Sequence, residues 1–450
     1  MQLSYYGGRY SIQRVLAFDE YTKKTSLTRV VLVCFTTPLP MVALVFGQEL
    51  VPLQELREGW SANYGMWFRA AVLVGIVTHA LLVQGMYLID DFVVSVLQML
   101  QLYVIMPAII VAFSLVVSAY CVFPIPFYIM FITPPFYLLL VVMIRVVVGS
   151  HAFRQMLTHH DQVGRCVRFV CAQTSTVFIF PVYEMLFSAA EGTKYQLPVI
   201  LLLPVIKVAL KNLVLHFAKA LDDMAPVEVI FTADFFNAIY VATCMQSSSS
   251  PIAIAAIIIT DLLQTITMLY GLQRRTATIL SRLRQTAADA KESDDVLSMM
   301  CSLFHNREMI RRVIVFTTEC IIITAYLETF MPLFYSSYMM LMVHLPNVKY
   351  HVEMEGVTRD NVVSSVLPLV VFGLLQIASF VSSALVIKRN CGMEALYQLA
   401  FVLEAQRSLI QCKMMLWMVI TLCFRVTHFG VDFKFEFIRL GFPRIWYPQG

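Results

Sequence analysis

Several carboxylate side chains lie in the middle of segments that are otherwise apolar enough to cross a lipid bilayer. The clearest five are Glu184, Asp234, Asp261, Glu319 and Glu328. A carboxyl group at bilayer depth costs about 2.5 to 3.5 kcal/mol on insertion scales, so such residues usually face the interior of a helix bundle or a water-filled cavity. In that position they can bind a proton, a cation or a polar solute.

Two lysines in the same kind of apolar segment, Lys207 and Lys211, are one helical turn apart and are the natural counter-charges of these acids. An acid paired with a lysine inside a bundle loses much of its burial penalty. A structural ion pair is therefore the alternative to a binding role for each acid. Because five acids face only two lysines, we favour a binding role for some of them.

Helical spacing groups the buried polar residues into stripes on individual helices. Glu328 shares a helix face with Thr324, and Asp234 lies three residues before Asn237. We therefore predict a site for a small polar solute or ion, with proton or cation coupling through the carboxylates. Its predicted residues are Glu184, Lys207, Asp234, Asn237, Asp261, Thr324 and Glu328.

The composition is typical of a membrane protein, since 59% of the 450 residues are hydrophobic and only 14% are charged. A transmembrane helix needs about 20 mainly apolar residues. Ten such segments are predicted, at 27–47, 66–89, 93–120, 127–148, 169–189, 197–217, 227–245, 252–272, 313–342 and 362–387. The predicted fold is an all-α polytopic helical transmembrane bundle of ten or eleven spans. A segment near 414–425 is either an eleventh crossing or an interfacial or re-entrant segment.

Lysine and arginine residues are concentrated in the segments on one side of the predicted bundle. Because cytoplasmic loops carry this excess, we predict an integral membrane protein with a cytoplasmic N-terminus. The N-terminal segment lacks the apolar core of a signal peptide, and residues 12–23 are either a short helix on the membrane surface or unstructured. The predicted organisation is an N-terminal segment at 1–26, eight spans at 27–272, a cytoplasmic loop of two amphipathic helices at 273–312, the remaining spans at 313–428 and a C-terminal tail at 429–450.

Prolines recur within the predicted spans, among them Pro38, Pro40, Pro204 and Pro332. A proline frees a backbone carbonyl group, and broken helices of this kind line the sites of many transporters. Ten spans divide into five plus five, which pairs the first span with the sixth in an inverted repeat. The two halves show no sequence similarity, so kinks that serve packing alone are the alternative. The ninth span is either long, tilted or broken at Pro332.

Common catalytic motifs are absent, including Gly-x-Ser-x-Gly, His-Glu-x-x-His and the Walker loop. We therefore predict no catalytic residues, no metal, no cofactor and no nucleic-acid partner, and expect the lipid bilayer and a small polar solute or ion as partners. Two alternatives to transport stay open. One is a membrane sensor or scaffold that acts through the loop at 273–312. The other is a lipid-modifying enzyme that uses Asn212 and His216, one helical turn apart.

The N-terminal part of the chain carries a distinctive series of short motifs. They are Thr-Ser-Leu-Thr-Arg at 25–29, Cys34, Thr-Pro-Leu-Pro at 37–40, Glu49, Pro-Leu-Gln at 52–54, Gly-Trp at 59–60 and Ala-Asn at 62–63. In these residues the chain resembles an uncharacterised family of multi-pass membrane proteins of oomycetes, most clearly over residues 20–70. The resemblance implies location in a membrane and no particular activity.

Overall fold

The structure is a computed structural model that describes residues 10–190, 192–218, 223–248, 250–291 and 296–431. Within these ranges the regular structure is helical, apart from one isolated antiparallel bridge between His351 and Val426. Ten helical segments are long and apolar enough to cross a membrane. The prediction of an all-α polytopic helical bundle is therefore confirmed.

The ten spans agree closely with the ten predicted segments. A short helix, α1 (Ile12–Lys24), precedes the first span, which consists of α2 (Leu27–Thr36) and α3 (Leu39–Glu49) on either side of Pro38. Spans two to six are α4 (Tyr64–Leu88), α5 (Val96–Tyr120), α6 (Tyr128–Val147), α8 (His160–Ala190) and α9 (Gln196–Ala218), with the short α7 (Ser150–Thr158) before α8.

The seventh span lies at the centre of the bundle. It consists of α10 (Ala225–Val229), a π-helical turn at Ile230–Asp234 and α11 (Phe235–Ser247). All residues of its most apolar 18-residue stretch are buried, and 72% of those in the corresponding stretch of the ninth span are buried. In the other eight spans only 22 to 56% of the residues in that stretch are buried. The outer spans therefore enclose spans seven and nine and present their exposed apolar faces to lipid.

The eighth, ninth and tenth spans belong to α12 (Pro251–Lys291), α13 (Val296–Met342) and α14 (Val362–Cys391). Of the alternatives predicted for the ninth span, the structure shows a long helix, because α13 continues through Pro332 without a break. Likewise α9 continues through Pro204, whereas the first span is interrupted at Pro38. The five-plus-five inverted repeat stays a prediction.

The helices predicted at 273–312 are the continuations of α12 up to Lys291 and of α13 from Val296. They are thus extensions of the eighth and ninth spans and not separate helices. Residues 292–295 between them lie outside the described residues.

Two further helices follow the tenth span. The first, α15 (Ala395–Ala405), packs against α1 and α2, and α16 (Arg407–Cys423) then runs through the interior beside α3 and α4. Just before α16, Gln406 donates to the carbonyl of Asp223 beyond the sixth span, and just after it the carbonyl of Arg425 accepts from Val352 beyond the ninth. Its 17 residues are about 25 Å long at 1.5 Å per residue. The C-terminal part of the described chain therefore contains a helix, α16, that passes through the bundle and is enclosed by the spans around it.

One end of the bundle, called the α1 end from here on, is covered by α1. The hydroxyl of Tyr10 donates to the Glu319 carboxylate in α13, and Arg14 Nη2 lies 2.8 Å from the same carboxylate. Burial and this carboxylate raise the pKa of Tyr10 well above its ordinary value, so the hydroxyl remains a donor at neutral pH. The N-terminal segment therefore contains a helix that is docked into the bundle.

The opposite end is formed by the loops after spans one and nine together with the segment after α16. Glu49, the last residue of α3, connects them, because its Oε2 lies 3.0 Å from Arg69 Nη1 and 3.1 Å from His351 Nε2. Asn347 donates to the backbone carbonyl groups of Glu49 and Val51. These contacts fix the loop at 343–361 over the end of the bundle.

We expect the opposite end to lose stability as the pH falls. His428 Nε2 is 2.7 Å from the carbonyl of Gln54, and the ring packs edge-on against Tyr350. Burial lowers the pKa of His428 from 6.5 to about 4. The His428 imidazole therefore binds a proton more readily in the unfolded chain than in the folded one. The contribution of neutral His428 to the free energy of unfolding is complete above the pKa of the unfolded state and is lost as the pH falls toward the pKa of the folded state. At about pH 5 the loss is about 2 kcal/mol.

Thermal unfolding of the purified protein at neutral and mildly acidic pH measures this effect. A His428→Gln variant, which keeps an amide donor for the Gln54 carbonyl, should lose this component of the pH dependence. His344→Gln is the control, because His344 is exposed. An undiminished acid sensitivity in His428→Gln would show that another group is responsible.

Candidate functional site

Two lysines and two acids from three spans form a network of ion pairs in the interior of the bundle. Lys207 Nζ in α9 lies 2.8 Å from Glu328 Oε1 in α13 and 3.6 Å from Asp234 Oδ1 in the seventh span. Lys211 Nζ lies 2.6 Å from Asp234 Oδ2, which also accepts a hydrogen bond from Thr324 at 2.9 Å. All five side chains are buried. Four of the predicted site residues are therefore brought together here.

Local helix geometry explains why these groups meet. Lys207 and Lys211 are one turn apart on α9, and Thr324 and Glu328 are one turn apart on α13, so each pair projects from one helix face. Asp234 is the last residue of the π-helical turn. Such turns are rare, interrupt the regular α-helical order of side chains and are frequent at functional sites. The π turn therefore sets the direction in which Asp234 leaves the central span.

Asp261 lies beside this network and has no basic partner within ion-pair distance among the described residues. Its carboxylate accepts a hydrogen bond from the side-chain amide of Gln376 in α14, and Gln264 Oε1 on its own helix lies 3.4 Å from Lys207 Nζ. A pocket of about 20 Å³ is lined by Asn237, Asp261 and Gln264. Because a cavity needs a volume of roughly 10 to 15 Å³ to hold a water molecule, the pocket is large enough for about one water molecule.

The charges of this region do not cancel. We call Lys207, Lys211, Asp234, Asp261 and Glu328 the central cluster. With all groups ionised it contains three carboxylates and two ammonium groups, and burial of an uncompensated charge is costly. Binding of one proton or one monovalent cation would balance it. A proton on a carboxyl group would also convert an acceptor into a donor and so rearrange its hydrogen bonds.

Glu184 does not belong to the central cluster. It lies nearer the opposite end, where it lines a cavity of about 430 Å³ together with Gln246 and Arg425. Tyr183 and Cys244, whose side chains are 3.7 Å apart, line the small pocket instead. Tyr183 and Glu184 are adjacent on α8 but line different spaces, the small pocket and the large cavity. The seven predicted residues thus form one group of six and one distant acid.

A second buried network was missed by the sequence analysis. Lys413 in α16 lies 3.0 Å from Glu228 Oε2 and donates to Gln84 at 2.8 Å and to Gln173 at 3.0 Å. Gln173 also donates to Glu228 at 2.9 Å. A lysine inside the apolar segment 409–424 was the available signal. Its partners come from three other helices, which no periodicity connects.

The count of five acids against two lysines is wrong as a measure of unpaired charge. Glu319 is paired with Arg14, and Asp234 and Glu328 are paired with the central lysines. The structural ion-pair alternative therefore describes these three acids. It does not describe Asp261 and Glu184, because neither has a basic side chain within ion-pair distance among the described residues.

The residues of the lipid-enzyme alternative do not enclose a site together. Asn212 is half-buried, whereas His216 is exposed and packs edge-on against the ring of Phe217. The side chains on which the scaffold alternative depends, between 279 and 308, lie almost entirely outside the described residues.

The fold and these networks define an integral membrane protein with a polytopic helical bundle and a charged interior. No group of three or more His, Cys, Asp or Glu side chains suited to a metal ion occurs in the part of the chain that the structure describes. Comparison with family models, with curated proteins and with solved structures finds no match to this chain.

Proposed function

We propose that this protein is a carrier that moves a small polar solute or ion across the membrane, with coupling to a proton or another monovalent cation at the central cluster. The observation that carries the proposal is the excess carboxylate in that cluster. Asp261, which has no basic partner in the described structure, adjoins a pocket of water size beside two lysine-paired acids. Carboxylates of this kind inside membrane proteins mark ion pathways and proton relays.

The arrangement of the two ends supports the same proposal. Toward the opposite end, the large cavity at Glu184 opens beyond the small pocket, and the two are lined by different residues. Toward the α1 end, Tyr10 and Arg14 cover Glu319. A polar site in the interior, with a cavity at one end and a covered other end, fits one state of a carrier that works by alternating access.

Reconstitution into liposomes tests the proposal. We expect proteoliposomes to move protons or Na⁺, or to take up a solute from a panel of amino acids, sugars and amines under an imposed proton gradient, faster than protein-free liposomes. Asp261→Asn removes the excess charge and should abolish the coupling. In infrared spectra, the part of the protonated carboxyl band that Asp261 contributes on acidification should be lost in the same variant.

Glu394→Gln is the matched control, since Glu394 is half-exposed and pairs with the exposed Lys388. The proposal fails if no flux exceeds that of protein-free liposomes. It also fails if Asp261→Asn and Glu328→Gln leave both the flux and its pH dependence unchanged.

A further inference from the structure

The large cavity at the opposite end has the size and walls of a ligand site. Its volume is about 430 Å³, within the roughly 300 to 1,000 Å³ typical of small-molecule pockets. Five separate parts of the fold build it, namely the end of α8, the end of α11, the loop at 343–361, the start of α14 at Ser365 and Arg425 after α16. Phe187 and Val352 supply apolar wall, and Ser188, Gln246 and Ser247 supply polar groups.

The charged groups of this cavity favour a cation. Two acids, Glu184 and Glu353, line it together with one basic residue, Arg425. The guanidinium of Arg425 is already engaged, because it is ion-paired with Glu353 and donates to the hydroxyl of Tyr335 at 2.8 Å. The cavity therefore presents net negative charge to whatever enters it.

Two acids that line this cavity each have a buried carboxylate oxygen that lacks the donor such acceptors normally have. Glu353 has a side chain that is only 4% exposed, and its Oε1 has no hydrogen-bond partner. Glu184 Oε2 is likewise buried without a partner. Ionised carboxylates can only accept, so the complementary ligand must supply N–H or O–H donors.

A protonated primary amine meets these requirements. Its ammonium group carries three N–H donors and one positive charge, which match two unsatisfied carboxylate oxygens. An alkyl chain of a few carbons would lie against Phe187 and Val352. A metal ion fits less well, since the described part of the chain gathers no set of three metal-binding side chains.

We infer that the cavity lined by Glu184, Glu353 and Arg425 binds a small protonated primary amine. This inference rests on the proposed function, because in a carrier this cavity is where the solute would enter. Binding can nevertheless be measured without transport, so the two ideas can fail separately.

Calorimetric titration of the purified full-length protein in detergent with n-butylammonium tests the inference. The comparison ligands are n-butanol, which lacks the charge, butyltrimethylammonium, which lacks N–H donors, and Ca²⁺. We expect n-butylammonium to bind most tightly. Glu184→Gln should weaken it about tenfold, as for the loss of one charge-assisted hydrogen bond. Glu394→Gln, at a distant exposed pair, should leave it unchanged.

A second measurement does not depend on whether the variant folds. In the wild-type chain, n-butylammonium should slow esterification of Glu184 by a diazo compound, followed by mass spectrometry, whereas n-butanol should not. The inference is overturned if n-butylammonium binds no more tightly than n-butanol, if the quaternary amine or Ca²⁺ binds equally well, or if Glu184 is not protected. Amine binding without any flux would instead contradict the proposed function alone.

Discussion

A Lys413→Met variant is expected to be less stable than the parent chain by about 3 to 5 kcal/mol, the usual cost of removing one partner from a buried ion pair. The side chains of Lys413 and Glu228 are 1% and 3% exposed. Methionine keeps much of the volume of lysine, so the effect isolates the charge. Without the ammonium group, the Glu228 carboxylate and the acceptor oxygens of Gln84 and Gln173 lose their common donor.

Denaturant unfolding in detergent micelles, followed by tryptophan fluorescence, measures the change, because the Trp417 ring lies 5.5 Å from Lys413 Nζ. The double variant Lys413→Met/Glu228→Gln should recover a large part of the stability, since the remaining amide is neutral. Lys388→Met is the matched control at an exposed pair and should produce no measurable change. A single variant as stable as the control would mean that the Lys413 network does not hold α16 in place.

The second large effect is expected at the α1 end. Arg14→Met should cost about 3 kcal/mol or more and release α1, because it leaves the Glu319 carboxylate buried without a counter-charge. Arg14 also lies 4.5 Å from the centre of the Tyr10 ring and 5.5 Å from that of Phe401, so its stem and charge both anchor the helix. Hydrogen exchange at residues 12–24 should accelerate, with less change elsewhere.

Arg29→Met provides the comparison for this variant, because Arg29 belongs to the same N-terminal region but its side chain is 60% exposed in its pair with Glu404. Addition of Glu319→Gln to Arg14→Met should restore slow exchange in α1. If Arg14→Met and Arg29→Met exchange at the same rate, α1 is held by apolar packing and not by the pair with Glu319.

Much of the fold could be predicted because each helix that crosses lipid needs about 20 consecutive, mainly apolar residues. Such a stretch can be found in the sequence without knowledge of the other helices. The same kind of rule placed Thr324 beside Glu328, since residues four apart share a helix face. The lysines of α9 were also recognised as counter-charges of the acids. These features each depend on one helix at a time.

Contacts between helices could not be predicted in this way. Nothing in the sequence distinguishes residues 230–234 as a π turn, because that geometry is set by packing around the central span. Tyr10 and Glu319 are far apart along the chain, and so are Glu228 and Lys413. Glu184 lies within the predicted fifth span, but its separation from the central cluster depends on which helices surround it.

The helix α16 is too short to count as a transmembrane span by its length, and there is a physical reason for this. A helix that faces lipid must be long and apolar over its whole circumference or outer face. Because α16 is surrounded by protein, it can be only 17 residues long and can carry Lys413. Its apolar length therefore says little about whether it crosses.

The enclosed position of α16 has a consequence for biosynthesis. The ribosome makes this helix after the ten spans around it, so those spans must first assemble as an incomplete shell with an open groove. Glu228, Gln84 and Gln173 lack their common donor until Lys413 is in place. Pairing of Glu228 with Lys413 is therefore a late step in the assembly of the bundle.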